Sequence, residues 1–223
     1  MIKKFQSIYP TKEELKEFLV NSKDLDIECF IQQWLSEGPP HAFKGDPFLF
    51  ENFRIKLAKQ LMINAKEITM IGSARLGYSL KPKYYGREFS STSDLDLAII
   101  SDKLFNNCSK DNSTWMREYD SNKIKPKNTV ESNFWKDNYI INSYNLKNGF
   151  IDINKIPSYR NYTTIFLIRN SIFYFTSFLC NNNDGIIFSK ITIRVYKDWH
   201  YFIKQNNLNL SLLKDELIKG IKL

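Results

Sequence analysis

Ile71-Gly72-Ser73 and, further along, Ser93-Asp94-Leu95-Asp96-Leu97-Ala98-Ile99-Ile100 are the segments that decide how this chain is read. Ile68-Thr69-Met70-Ile71 has the make-up of a short buried strand that runs into Gly72. Leu95 to Ile100 is apolar except for one aspartate, which again reads as a buried strand, and a serine-rich loop (Ser90 to Ser93) leads into it. Asp94 and Asp96 are two positions apart, so strand alternation puts both carboxylates on one face. Side by side in an apolar setting they repel each other and lose solvation. A cation between them relieves both penalties, and all-oxygen ligands of this kind suit Mg²⁺ or Mn²⁺. A glycine after a strand, followed by Ser73 and an expected helix start, offers backbone N–H groups and a hydroxyl to a phosphate. Together these are parts for holding a metal–triphosphate in line with a nucleophile.

Working outward, Thr11-Lys12-Glu13-Glu14 has the spacing of a capping box that opens a first helix. Gly38-Pro39-Pro40 breaks the chain, and Pro47 starts a second helix whose Phe50, Phe53, Leu57 and Leu61 form one apolar face. Between the two strands lies a basic loop with Lys81, Lys83 and Arg87. Asn106 to Asn148 is polar and rich in Asn, Lys and Ser, and reads as short helical pieces joined by loops. Phe150-Ile151-Asp152-Ile153 is a third candidate strand, Asn181 to Gly185 a turn, and Ile187 to Val195 a fourth strand. Leu210, Leu213, Leu217 and Ile218 mark a C-terminal helix. The element order implies an α+β class.

The chain has 223 residues, of which 43% are hydrophobic, 25% charged and 15% aromatic, so disorder and disulfide scaffolds are excluded as the main description. Its net charge of +8 favours anionic partners and says nothing of the fold. Cys29, Cys108 and Cys180 lie far apart and make neither a disulfide framework nor a zinc site. Two histidines, His41 and His200, are too few for a histidine metal cluster. Met1 to Gln6 lacks the apolar core of a signal peptide, and a cytoplasmic location is expected. Thr163 to Cys180 is the most apolar run, but Arg169 near its middle would cost about 3 kcal/mol inside a bilayer, so a core helix is expected rather than a membrane span.

Gly-Ser followed by Asp-x-Asp on the next strand resembles the nucleotidyltransferase superfamily, with its polymerase-beta-like fold. The resemblance covers mainly Phe50 to Ile100. It implies a small mixed sheet with helices, with Gly72 and Ser73 holding the triphosphate and Asp94 and Asp96 binding two metals, Mg²⁺ or Mn²⁺. It also implies a third carboxylate from a neighbouring strand, for which Asp152 is the best-placed candidate. The reaction implied is transfer of a nucleoside monophosphate from a nucleoside triphosphate to a hydroxyl on RNA, protein or a small molecule. Arg75, just past the glycine, is a further candidate for the triphosphate. On this reading residues 1–46 form an N-terminal helical segment and 47–157 the nucleotidyltransferase core. Residues 158–223 form a mostly helical C-terminal α/β extension packed on that core. The Ala74 to Ser93 stretch is longer than the family's usual gap. The pattern also resembles uncharacterised bacterial nucleotidyltransferase-like proteins, some of which lie near mobile or defence genes, which implies a defence or toxin–antitoxin setting.

Plainer readings stand beside each of these. Asp94 can belong to a turn, with Asp96 on an exposed strand face, and Gly72 can be a simple turn glycine. Asp152 can cap a helix, and Arg75 can be a solvated helix charge. Lys190, Arg194 and Lys197 alternate with apolar residues as on any half-exposed strand. At the level of function, the alternatives are a degenerate nucleotidyltransferase fold acting as a binding module or antitoxin-like partner, and a glycosyltransferase using Asp-x-Asp for a nucleotide sugar.

Overall fold

The computed structural model describes residues 5, 7–181 and 186–221. At its centre is a four-stranded mixed sheet in the order β1-β2-β4-β3, formed by β1 (Ile68–Ile71), β2 (Leu95–Ile100), β3 (Phe150–Asp152) and β4 (Ile191–Tyr196). β1 runs antiparallel to β2, β2 parallel to β4, and β3 antiparallel to β4.

Alternation along the strands divides the core in two. One face carries Ile68, Met70, Leu95, Leu97, Ile99, Ile151, Ile191, Ile193 and Val195. It packs on α3 (Pro47–Leu61), α5 (Asp102–Asp120), α6 (Thr129–Lys147) and α7 (Thr163–Asn181). The other face carries Ile71, Ala98, Ile100, Phe150 and Tyr196, and packs on α1 (Lys12–Asn21), α2 (Asp24–Phe30) and α8 (Trp199–Ile221). The protein is thus an α+β molecule with helices on both faces of a small sheet. Asp96, Thr192, Arg194 and Asp152 share the parity of the second face, the one covered by α8.

Local chemistry accounts for most element boundaries. Thr11 and Glu14 make the capping box expected for α1, with the Glu14 amide donating to Thr11 Oγ1. Asp46 Oδ1 accepts from the Leu49 amide, and Pro47 occupies the first turn of α3. A short α4 (Ser73–Leu76) follows β1, and the basic loop contains a 3₁₀ turn at Pro82–Tyr84.

Three expectations need correction. Residues 158–223 are not an extension packed on a finished core, because they supply β4, which lies between β2 and β3. The Asn106 to Asn148 stretch is not a set of short pieces but most of α5 and α6. Its periodicity is masked because α6 buries Asn138, Asn142 and Asn145 while exposing Val130, Phe134, Ile140 and Tyr144. The fourth strand begins at Ile191 rather than Ile187. The turn expected at Asn181 to Gly185 falls largely outside the described residues.

Among the described residues α7 alone has the length and apolar make-up of a membrane span. Its inner face, with Ile165, Ile168, Ser171, Phe175 and Leu179, is buried, and Phe173 and Tyr174 lie outside. Arg169 is not left bare at mid-helix: its Nη2 donates to the carbonyls of Ile153, Asn154 and Ile156. Such bonds offset the cost of burying the charge.

Candidate functional site

A cleft of about 340 Å³ opens where β1, β2 and β4 meet the long loop and α8. Gly72 and Ser73 line it from the β1 end, Asp94 from just before β2, Asp96 from β2, Thr192 and Arg194 from β4, and Lys81 and Arg87 from the basic loop. Asn206 and Asn209 of α8 close the far wall. The two sequence segments that opened the reading therefore meet at one cavity.

Their meeting is close. Gly72 has φ +69° and ψ −151°, a backbone region used essentially by glycine alone. A Cβ at this position would stand 2.7 Å from Asp96 Oδ2. The turn after β1 is thus pressed against the carboxylate on the next strand. The short α4 that follows leaves the Ser73 and Ala74 amides without intrahelical acceptors, as first-turn amides always are.

Asp96 is held rigidly. Thr192 Oγ1–H donates to Asp96 Oδ1 at 2.5 Å, as the pairing of Asp96 with Thr192 permits. Burial pushes the Asp96 carboxyl above its ordinary range, and the neighbouring Asp94 adds to this. The Thr192 hydrogen bond, Arg194 and Lys81 act the other way. Asp94 precedes β2 and is looser: its side chain is 32% exposed, with Lys190 Nζ 3.9 Å from Oδ2. Its position is fixed by backbone bonds on either side, from Ser189 N to Ser93 O and from Leu95 N to Lys190 O.

Arg194 lies on β4, between Asp96 on β2 and Asp152 on β3 and on the same face of the sheet. Burial alone would lower its pKa, yet Tyr196, Asp152 and Asp96 together raise it above the usual value. Among the described residues no carboxylate oxygen is within 4 Å of its guanidinium.

Two expected site residues are not in the cleft. Asp152 ends β3, the strand beyond β4, and does not line the cavity. Its Oδ1 accepts from the Asn154 amide at 3.0 Å and caps the 3₁₀ turn Ile153–Lys155, so the capping alternative describes what it does. The strand next to β2 is β4, which places Thr192 and Arg194 where the resemblance implies a carboxylate. Arg75 also points elsewhere. It is 4% exposed, with Nε donating to Trp34 O at 2.7 Å and Nη1 to Gly38 O at 2.6 Å. Burial pulls its pKa down to about 10. Its function is to clamp the segment after α2 to α4. Arg75→Ala is expected to cost about 2–3 kcal/mol by leaving two carbonyls without their charged donor. Urea denaturation checks this, and native stability in the variant would contradict the clamp.

Among the described residues no group of three or more His, Cys, Asp or Glu side chains is placed to share a metal. Asp94 and Asp96 bring to one cleft oxygen donors of the type a divalent cation takes. The pair does not fit the three-carboxylate arrangement.

Thr192, Asn206 and Asn209 were not singled out in the sequence. The parity of Thr192 with Arg194 was readable, but only the strand register puts it against Asp96. Nothing local marks the two asparagines. Comparison of the chain with family models, with curated proteins and with solved structures finds no match.

Proposed function

We propose that this protein is a metal-dependent nucleotidyltransferase with a polymerase-beta-like core, moving a nucleoside monophosphate from a nucleoside triphosphate to a hydroxyl of RNA, protein or a small molecule. The observation that carries the reading is the contact between the Gly72–Ser73 turn and the Asp94–Asp96 strand inside one basic cleft. Gly72 lets the backbone approach a phosphate that a side chain would block. Ser73 offers a hydroxyl and an amide. Lys81 and Arg87 offset charge on the β- and γ-phosphates. Asp94 and Asp96 would hold a divalent cation, which when bound neutralises phosphate charge and polarises the α-phosphoryl group. The acceptor oxygen bonds to the α-phosphorus, the bond to the β-phosphate oxygen breaks, pyrophosphate leaves and the hydroxyl proton passes to solvent.

The test is label transfer from each α-labelled nucleoside triphosphate, in Mg²⁺ and in Mn²⁺, with and without total RNA. Label in RNA, in protein or in a small product is expected, with loss below about one thousandth in Asp94→Ala/Asp96→Ala. Equal transfer by that variant would overturn the reading.

A second reading is favoured by the position of Asp152 outside the cleft. It makes the protein a non-catalytic module that binds nucleotide without turnover. Binding that needs Asp94 and Asp96, with no label transferred to any acceptor, distinguishes it.

A further inference from the structure

We propose that Arg194 is a resident cation of this cleft, standing in for a second metal ion, so that the protein takes a nucleoside triphosphate with one divalent cation rather than two. This rests on the nucleotide reading of the cleft and specifies how the triphosphate is held.

The sheet order carries the inference. β4 lies between β2 and β3, so Asp96 and Asp152 are two strand spacings apart, about 10 Å across the sheet before any offset along it. Two metals working as a pair sit roughly 4 Å apart, with carboxylate oxygens about 2 Å from each. The space between Asp96 and Asp152 on that face is filled by Thr192 and Arg194. Thr192 donates to Asp96, and the Asp152 carboxylate is engaged by the Asn154 amide.

What occupies the position is itself a cation. Arg194 is attracted by Asp96 on one side and Asp152 on the other, and it lines the cleft beside Asp96. Its guanidinium presents a fork of donors; the Tyr196 hydroxyl engages part of it, and no carboxylate among the described residues lies close enough to take the rest, which leaves donors for phosphate oxygens. A triphosphate carries more negative charge than one divalent ion offsets, and Arg194, Lys81 and Arg87 supply the remainder. Unlike a bound metal, Arg194 needs no loading. The protein would therefore retain measurable triphosphate affinity in chelator, where a site built on two metals would not.

The experiment counts metal directly. The full chain is titrated with Mn²⁺ and the α,β-methylene analogues of ATP, GTP, CTP and UTP, reading free Mn²⁺ by electron paramagnetic resonance and bound analogue by equilibrium dialysis. One Mn²⁺ per bound analogue is expected. Two per bound analogue overturns the inference and leaves the nucleotide reading standing. No binding of any analogue, or binding indifferent to Asp94→Ala/Asp96→Ala, overturns the nucleotide reading, and the inference falls with it. Arg194→Gln is expected to lower analogue affinity at least about tenfold without changing the Mn²⁺ count, and Arg194→Lys to restore part of it. Full affinity in folded Arg194→Gln also overturns the inference. The count on the native chain holds even if that variant fails to fold.

Discussion

Gly72→Ala is expected to lose about 3 kcal/mol of stability and to abolish the proposed nucleotide binding. Two independent costs meet at this position. The backbone conformation, φ +69° and ψ −151°, is strained for any residue with a side chain, at about 1–3 kcal/mol. The new Cβ would also stand 2.7 Å from Asp96 Oδ2. Asp96 cannot yield without cost, because Thr192 donates to its other oxygen and β2 is paired on both edges. Relief requires moving the turn or breaking that hydrogen bond, and both displace the groups proposed to hold phosphate. Urea denaturation gives the stability and dialysis the affinity. Adding Asp96→Ala to Gly72→Ala removes the clash and should recover part of the loss, so the two changes are expected to be non-additive. Strict additivity, or native stability of Gly72→Ala, would mean that the turn does not press on the carboxylate.

Asp96→Asn is expected to move activity and stability in opposite directions. The proposed transfer should fall by at least about a thousandfold, because an amide would not hold the divalent cation as the carboxylate would. Stability near neutral pH should rise by about 1 kcal/mol, as is common when a strained functional group is relaxed. The pH dependence gives the sign. Burial raises the folded carboxyl above its unfolded value, so the native side chain contributes fully below the unfolded carboxylate range. That contribution is lost as pH rises through the raised folded value. The advantage of asparagine should therefore be absent near pH 3 and grow as pH climbs above the ordinary carboxylate range. Denaturation curves for both proteins at several pH values test this. An asparagine variant less stable than the native chain at pH 7 would show that Thr192 and Arg194 outweigh the desolvation.

Much of the fold was legible because its signals are local. Ile68–Ile71 and Leu95–Ile100 are mostly apolar runs, each with a single polar residue and bounded by turn residues, and both form strands with those limits. Thr11 and Glu14 carry their own hydrogen-bond logic, as do Asp46 and Pro47. α6 was illegible for the opposite reason: its asparagines face inward, Asn142 donating to Lys155 O, and no hydrophobic period reports a buried face of that kind. In the cleft, the Gly72 turn and the aspartate pair could be placed because each follows from its own strand. The third position could not. Asp152 has the flanking residues of a strand-borne ligand, but which strand neighbours β2 depends on β4 inserting between them, and no local pattern encodes a strand order.

That insertion has a consequence for how the protein comes to exist in time. During synthesis β1, β2 and the helix between Asp46 and Met62 emerge well before β4, yet β2 has no partner on its second edge until residues 191–196 arrive. Contacts of such long sequence separation form late and slowly. A nascent chain would carry the aspartate pair without Thr192 to orient it or Arg194 to balance its charge. The cleft is then unfinished while the protein is being made, and it is completed only when its last strand is threaded into the middle of the sheet.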